Sequence, residues 1–421
     1  MPSRRSSSAN APRPLPPLAL TFDQLARPSA DEETRLLRTA ERIWALVPWK
    51  TWNEDQIFVV RSPETQELGF VSVIGGSKQQ FGIIVYRGAG AYFGLLDFIE
   101  RVSMSQMPPW LNDLAASGLN ADTMPPDLAA FVKQMSDTMV DPTELLQIPQ
   151  LQLNFDARKD LDPLDKEWLG RNGYNAKGRG FPTFRSFVPG YLPWWISSED
   201  ARFLAVALEQ FLEVAGRKWF NWDSLEVKES GNRKPVHELF ARLPKVAKNG
   251  DITWSDGRLK VSPDEGGAYA VELDPDEELL ERIEALPQSQ TPLEMELVSF
   301  PAPLGGEQER PCFPSLLVAG NGGMVVGSET ILCGSPSPYL LAPLLNAILK
   351  VLAAQRERPA ALHFASPEMA LLQAVGEMTD IPVRLLDQLE TLDPAIEALM
   401  EAMESGQLFE DSDENDVPRL H

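Results

Sequence analysis

The chain has 421 residues, is 43% hydrophobic and 24% charged, and carries a formal net charge of −23. Such numbers describe a globular chain too long for one ordinary core, with about two to four domains expected. Its acidity excludes wholesale coating of phosphate backbones or anionic membranes. No apolar run reaches the roughly 20 residues that cross a bilayer, so no membrane role is expected.

Residues 1–28 are rich in Ser, Pro and Arg, with no acid before Asp23. The prolines at 12, 14, 16 and 17 would break the amphipathic helix of a transit peptide, and a disordered arm is expected there. Order begins at Ser29, which stands in capping-box spacing with Glu32. Leu36, Ala40, Ile43, Trp44 and Val47 then recur on one helical face, and Pro48 ends the run. Three β-like runs follow, Gln56–Val60, Gly69–Ile74 and Phe81–Tyr86, separated by turn residues. With a helix over Tyr92–Val102 they predict a small antiparallel sheet with helices, an N-terminal α+β domain over 29–147. Its last part, from Met104, is methionine-rich and helical in pattern.

A middle α+β domain over 148–262 opens on the β-like LQLNF at Leu151 and contains an aromatic loop. A helix is expected over Glu199–Ala215, capped by Ser197, with Asp200 in its first turn. His237–Leu243 and Ile252–Val261 read as strands, the second turning at Ser255-Asp256-Gly257. An acidic helical linker is expected over 263–290.

The C-terminal α/β domain, 291–405, is the most legible. MELVSF, SLLVA and MVVGSETIL are β-runs, and Asn321-Gly322-Gly323 is a hairpin turn between the last two. Helices and the strands ALHFA and IPVRLL alternate after them, opened by Ser366-Pro367 and Asp393-Pro394. The order βββ-α-β-α-β-α is similar to the ribonuclease H-like fold. Nucleases of that fold bind metals with acids, the first on the opening strand. Taken as SLLVAGN, that strand has no carboxylate, which implies a catalytically silent unit. Residues 406–421 form an acidic tail without calcium-loop spacing. In all, the fold class expected is α+β / α/β, multi-domain.

Chemistry-bearing motifs are few. The two cysteines, Cys312 and Cys333, form no CxxC pair, and His237, His363 and His421 form no zinc spacing. Buried cysteines and a reducing cytoplasm are expected. AGNGGMVVG is read as a hairpin, since a dinucleotide fingerprint needs a helix where strand-like MVVGSETI follows. No catalytic residue, metal site or cofactor is nominated. Asp160, Asp162 and Asp165 are read as capping a short helix and pairing with Lys159 or Arg171.

One stretch departs from the acidic background. From Lys166 to Trp195 five basic residues stand against one acid, Glu167, and Gly178–Trp195 holds six aromatic rings. Arg179, Phe184, Arg185, Tyr191, Trp194 and Trp195 are the candidate binding residues. Interleaved arginines and rings can stack bases, which makes nucleic acid a possible partner through 166–195. Six exposed rings are costly, each removing about 150–250 Å² from water when buried. A packed aromatic cluster with one or two rings at an edge facing a protein partner is the main expectation.

Three pieces together, WALVPWKTW with PETQELGFVSVIGG, then GRGFPTFRSFVPGYLPWWISSEDARFLAVALEQFLEVA, then RPCFPSLLVAG with RPAALHFASPEMALLQAV, resemble an uncharacterised bacterial family built from domains of unknown function. Related domains occur beside SEC-C-type motifs and plasmid-associated open reading frames. The resemblance spans most of Ala40 to Met403 and implies no catalytic residues. The SEC-C cysteine cluster is missing here, so no metal role is implied. The function expected is a cytoplasmic, non-enzymatic binding or scaffold protein acting through protein–protein contacts, with a nucleic-acid-associated factor as the alternative.

Overall fold

A computed structural model describes residues 13–76, 80–105, 142–174, 180–218, 222–230, 235–263, 269–300, 303–306, 308–335, 337–365 and 369–404. The chain divides into two compact units. One lies within residues 19–188 and 193–268, and the other gathers Pro12–Leu18, Pro189–Leu192 and the chain from Tyr269 onward. Among the described residues there are eight α-helices, none long and apolar enough to cross a membrane.

The first unit contains α1 (Ala30–Leu46), β1 (Phe58–Arg61), β2 (Leu68–Ile74), β3 (Gly82–Arg87), α2 (Gly88–Ser105) and β4 (Gln150–Asp156). It continues through α3 (Pro163–Arg171), β5 (Phe181–Phe187), α4 (Ser198–Ala215), β6 (Lys228–Ser230), β7 (Val236–Val246) and β8 (Ile252–Val261). One sheet runs in the order β5-β4-β3-β2-β1-β7-β6, with β8 also on β7. Its pairs are antiparallel except β1 with β7.

Alternation along the strands decides how this sheet is buried, because successive side chains leave opposite faces. Phe58, Val60, Val71, Val73, Ile83, Val85, Leu151 and Leu153 pack with Leu36, Ala40 and Ile43 of α1 and with Leu204, Leu208 and Phe211 of α4. Val59, Phe70, Ile84 and Tyr86 pack with Ala91, Tyr92 and Leu95 of α2. A sheet covered on both faces explains why FVV and FVSVI are nearly unbroken apolar runs. The two long helices on the first face start as expected. Ser29 and Glu32 form a reciprocal capping box, and so do Ser197 and Asp200.

Several expectations need correction here. The boundary placed at 147/148 falls inside the sheet, where β3 and β4 pair from Gly82↔Asn154 to Tyr86↔Gln150. The stretch expected as an aromatic loop is largely strand β5, paired with β4 from Asp156↔Phe181 to Gln150↔Phe187. Pro182 fits because β5 is the last strand of the order, where a residue without an N–H is tolerated. Ser255-Asp256-Gly257 is not a turn. β8 runs straight through it against β7, and the chain turns instead around Gly250, at φ +88°. The arm is ordered in part: Leu25 is buried, and Arg13–Pro14 pairs with Tyr269–Ala270. Most of the methionine-rich stretch, Ser366-Pro367 and the acidic tail lie outside the described residues.

The second unit contains α5 (Glu277–Glu284), β9 (Leu293–Ser299), β10 (Ser315–Asn321), β11 (Met324–Ile331), α6 (Leu341–Ala353), β12 (Leu362–Phe364), α7 (Met369–Thr379), β13 (Val383–Leu385) and α8 (Asp393–Glu404). α5 replaces the expected linker and belongs to this unit. The strand order is β11-β10-β9-β12-β13, antiparallel through the first three and parallel from β9 to β13. Gly322 and Gly323, at φ +59° and +81°, make the turn between β10 and β11, as a primed hairpin turn demands.

The opening strand of this sheet is β9, not SLLVAGN, and it does carry carboxylates, Glu294 and Glu296. Glu294 is buried, and its Oε2 accepts from Thr391 N, Thr391 Oγ1 and Leu392 N at 3.2, 2.6 and 2.8 Å. Its role is to fix the turn that leads into α8.

Gly180, just before β5, sits at φ +98°, and a Cβ there would come within 2.6 Å of the Trp44 ring. Gly170 in α3 has open space around the same position. Gly180→Ala should therefore lower stability by more than about 1 kcal/mol in urea unfolding. Gly170→Ala should leave stability equal or slightly higher. Equal effects from the two substitutions would contradict this packing.

Candidate functional site

The described candidate residues are divided between the two units. Arg179 lies outside the described residues. Tyr191 belongs to the tetrapeptide Pro189–Leu192 of the second unit, whereas Phe184, Arg185, Trp194 and Trp195 belong to the first.

In the first unit the candidates are organised around Arg185 on β5. Its Nη2 donates to Asp165 Oδ2 at 2.6 Å and to Asp162 Oδ2 at 3.0 Å. Its Nη1 donates to Asp165 Oδ1 at 3.1 Å and to the Phe184 carbonyl at 2.9 Å. The guanidinium carbon lies 4.3 Å from the centre of the Trp195 ring, a distance at which a cation is attracted to an aromatic face. The side chain of Arg185 is 18% exposed and that of Asp165 is 3% exposed, so the pair is largely out of water. Asp162 caps α3 by accepting from Asp165 N, and Pro163 follows it. Of the DLDPLD aspartates Asp162 therefore caps a short helix as expected, but it and Asp165 pair with Arg185. Arg171 instead donates to Glu33 on α1 at 2.8 Å.

The rings are mostly interior. Phe184 is buried in the main core, edge-on to Trp168 at 5.5 Å. Trp194 is buried, and its backbone exchanges both hydrogen bonds with Ser186, which holds the chain beside β5 after the strand has ended. Phe22, from the segment expected as disordered arm, lies edge-on to Trp194 and Trp195 at 6.4 and 6.3 Å. Trp195 is the half-buried ring of the set.

Burial is the largest influence on Asp165 and pushes its carboxyl above the ordinary carboxylate value, while Arg185 pulls it partway back. A raised carboxyl contributes stability that is present in acid and lost as pH rises through its folded value.

In the second unit, Tyr191 is buried beside Cys333, with its ring edge-on to Tyr339 at 6.4 Å. Burial raises its hydroxyl pKa. Gly190, at φ +87°, leaves only 2.7 Å between its missing Cβ and Cys333 Sγ. Cys312 and Cys333 are both buried free thiols. Burial, with a smaller effect of Cys333, pushes the Cys312 thiol up to about 11, which leaves little thiolate near neutrality.

Two features were not singled out from the sequence. Gln150, Gln152 and Asn154 alternate along β4 and are buried, forming an amide ladder in which Asn154 Nδ2 donates to Gln152 Oε1 and Gln152 Nε2 to Gln150 Oε1, at 3.2 and 3.3 Å. Gln150 Nε2 closes it on the Leu145 carbonyl at 3.0 Å, and Gln80 Nε2 donates to Asn154 Oδ1 at 3.1 Å. A polar residue at every second position reads the same way on a solvated strand face, so the sequence holds no signal that separates the two. The second is Arg87, which the expected strand Phe81–Tyr86 left out. It donates bidentately to Glu67 at 2.8 and 3.0 Å and to Asp200 at 2.6 Å, tying β3 to the start of α4.

The fold and these sites define a multi-domain α+β protein. Two models of domains of unknown function match it. The Domain of unknown function (DUF7309) matches residues 34–117 and 116–234, within the first unit apart from Pro189–Leu192. The Domain of unknown function (DUF6930) matches residues 279–400, within the second. No curated protein and no solved structure matches the chain.

Arg185→Ala leaves the Asp165 carboxylate buried without its cation, a change that typically costs about 3–5 kcal/mol. Thermal unfolding should show a large loss, greater in alkaline than in mildly acid buffer, and Asp165→Asn should restore part of it. A neutral Arg185→Ala would contradict the structural role. Native protein should also resist iodoacetamide at both cysteines near neutral pH and react fully once unfolded. Fast native alkylation of Cys312 would contradict its burial.

Proposed function

We propose that this protein is a cytoplasmic binding component that acts through protein–protein contacts. In this reading the edge strand β11 receives an extended segment of a partner. The observation that carries the reading is the composition of that edge. β11 ends its sheet order, and Met324, Val325 and Val326 are exposed at 69, 51 and 39%. The strand MVVGSETI contains no Lys, Arg or Pro, the residues that commonly guard a sheet edge against pairing. An edge without those residues supports strand addition, in which main-chain hydrogen bonds give affinity and alternate side chains give selectivity. The occupant is an extended apolar segment flanked by basic residues. β11 carries one acid, Glu329, and no base, and the whole chain at −23 attracts cationic flanks. The nucleic-acid alternative has less support, since both terminal nitrogens of Arg185 are occupied by Asp162, Asp165 and a carbonyl. The cytoplasmic placement rests on the two buried free thiols.

The test uses the full chain and a short peptide of alternating valine and threonine flanked by lysines. Hydrogen exchange should show saturable protection across Met324–Ile331 when the peptide is added. Val325→Lys, at an exposed position, should abolish that protection and leave the melting temperature unchanged. No protection in the wild-type chain, or equal protection in the variant, would refute strand addition at β11.

A further inference from the structure

A second feature of the C-terminal unit shares Val326 with that edge and rests otherwise on different residues. A cavity of about 490 Å³ opens between the end of α6, the hairpin that joins β10 to β11, and the chain leading into β9. Its size falls in the range that accepts small molecules, roughly 300–1,000 Å³.

The walls are held by backbone. Ser289 N donates to the Arg358 carbonyl, Arg358 N to the Pro287 carbonyl and Ala360 N to the Thr291 carbonyl, at 2.7, 2.8 and 2.9 Å. This pairing seats the segment that follows α6 against the segment that precedes β9. The helix end is closed by Ala354 N on the Lys350 carbonyl and by Gln355 Nε2 on the Val351 carbonyl, at 3.1 and 2.9 Å. Residues 356 and 357 are therefore displayed from a fixed backbone.

Their chemistry is paired. Arg356 and Glu357 both line the cavity, and both are exposed. Neither makes an ion pair or a side-chain hydrogen bond among the described residues, whereas next door Arg358 donates to Asp380. The cavity thus offers one cation and one anion that nothing among the described residues of the unit neutralises. Leu293 and Val326 supply an apolar wall, and the Ser289 and Thr291 hydroxyls, 3.0 Å apart, supply neutral donors and acceptors. The cavity lies at the end of α6, where the helix dipole favours a positive group.

A simple anion would meet Glu357 and a simple cation would meet Arg356. A ligand with both charges on neighbouring atoms satisfies both, and a short aliphatic body fits the apolar wall. We infer that this cavity binds a small zwitterion of the α-amino-acid class, its carboxylate on Arg356, its ammonium on Glu357 and its side chain against Leu293 and Val326.

The experiment is calorimetric titration of the full chain with valine, leucine, serine and threonine, beside N-acetylvaline and valinamide. At least one free amino acid should bind saturably. The N-acetyl and amide forms should bind at least about tenfold more weakly, as expected when one charge-assisted contact is lost. Arg356→Gln and Glu357→Gln should each weaken binding by a similar factor without moving the melting temperature, since neither side chain has a partner to lose among the described residues. The inference is overturned if no free amino acid binds, if the N-acetyl or amide form binds as well as the parent, or if both variants bind like wild type. Peptide protection at β11 is read separately with Val325→Lys, a residue that does not line this cavity, so either proposal can fail alone.

Discussion

The ion pair between Arg185 and Asp165 is the constraint on which the arrangement of the aromatic segment depends. A carboxylate that is almost fully buried stays ionised at acceptable cost only with a cation in contact and its other lone pairs engaged. Arg185 meets that demand from β5, and in doing so it fixes where α3 sits, where Trp195 lies over the guanidinium, and where Phe184 enters the core. The excess of positive charge between Lys166 and Trp195 is thereby spent locally at its best-defined residue. What reads as a basic-aromatic surface in one dimension is, at Arg185 and Phe184, an interior.

The same logic runs through the rest of the first unit. Arg87 binds Glu67 and Asp200, Arg171 binds Glu33, and Arg242 and Arg217 bind Asp256. Of these, Arg87 with Asp200 and Arg171 with Glu33 tie together elements more than a hundred residues apart in the chain. Asp256 shows why the sequence misleads at such points. Ser-Asp-Gly is turn chemistry in isolation, yet the Asp256 carboxylate is held by two arginines, which lower its pKa, Arg217 contributing most. An unbroken β8 paired along β7 is the conformation that brings it there. Tertiary partners overrode local preference.

Much else was legible. The capping box at Ser29, the cap at Ser197 and the Gly322-Gly323 hairpin are local signals that the folded chain keeps. The β-character of β1 to β4 was readable because a sheet covered on both faces needs apolar residues at nearly every position. The domain boundary was not readable, because sheet order depends on pairing between β3 and β4, which stand more than sixty residues apart in the chain. The burial of the Gln150–Asn154 ladder and the choice of Arg185 as partner for Asp165 are likewise long-range facts. Of the candidate residues, their aromatic packing was foreseeable from the cost of exposing rings. Their division between two units was not, since nothing in GYLPWW marks Pro189–Leu192 as belonging with a sheet that begins a hundred residues later.

The central claim is that the rings from Phe184 to Trp195 hold the fold together and do not form an open binding surface. Hydroxyl-radical footprinting, read residue by residue by mass spectrometry, tests it most directly. Phe184, Phe187 and Trp194 should stay protected in the native chain, with Trp195 intermediate, and should all oxidise together as the protein unfolds. Native-state oxidation of Trp194 and Phe184 at the rate of free tryptophan and phenylalanine would show an open cleft and contradict the account.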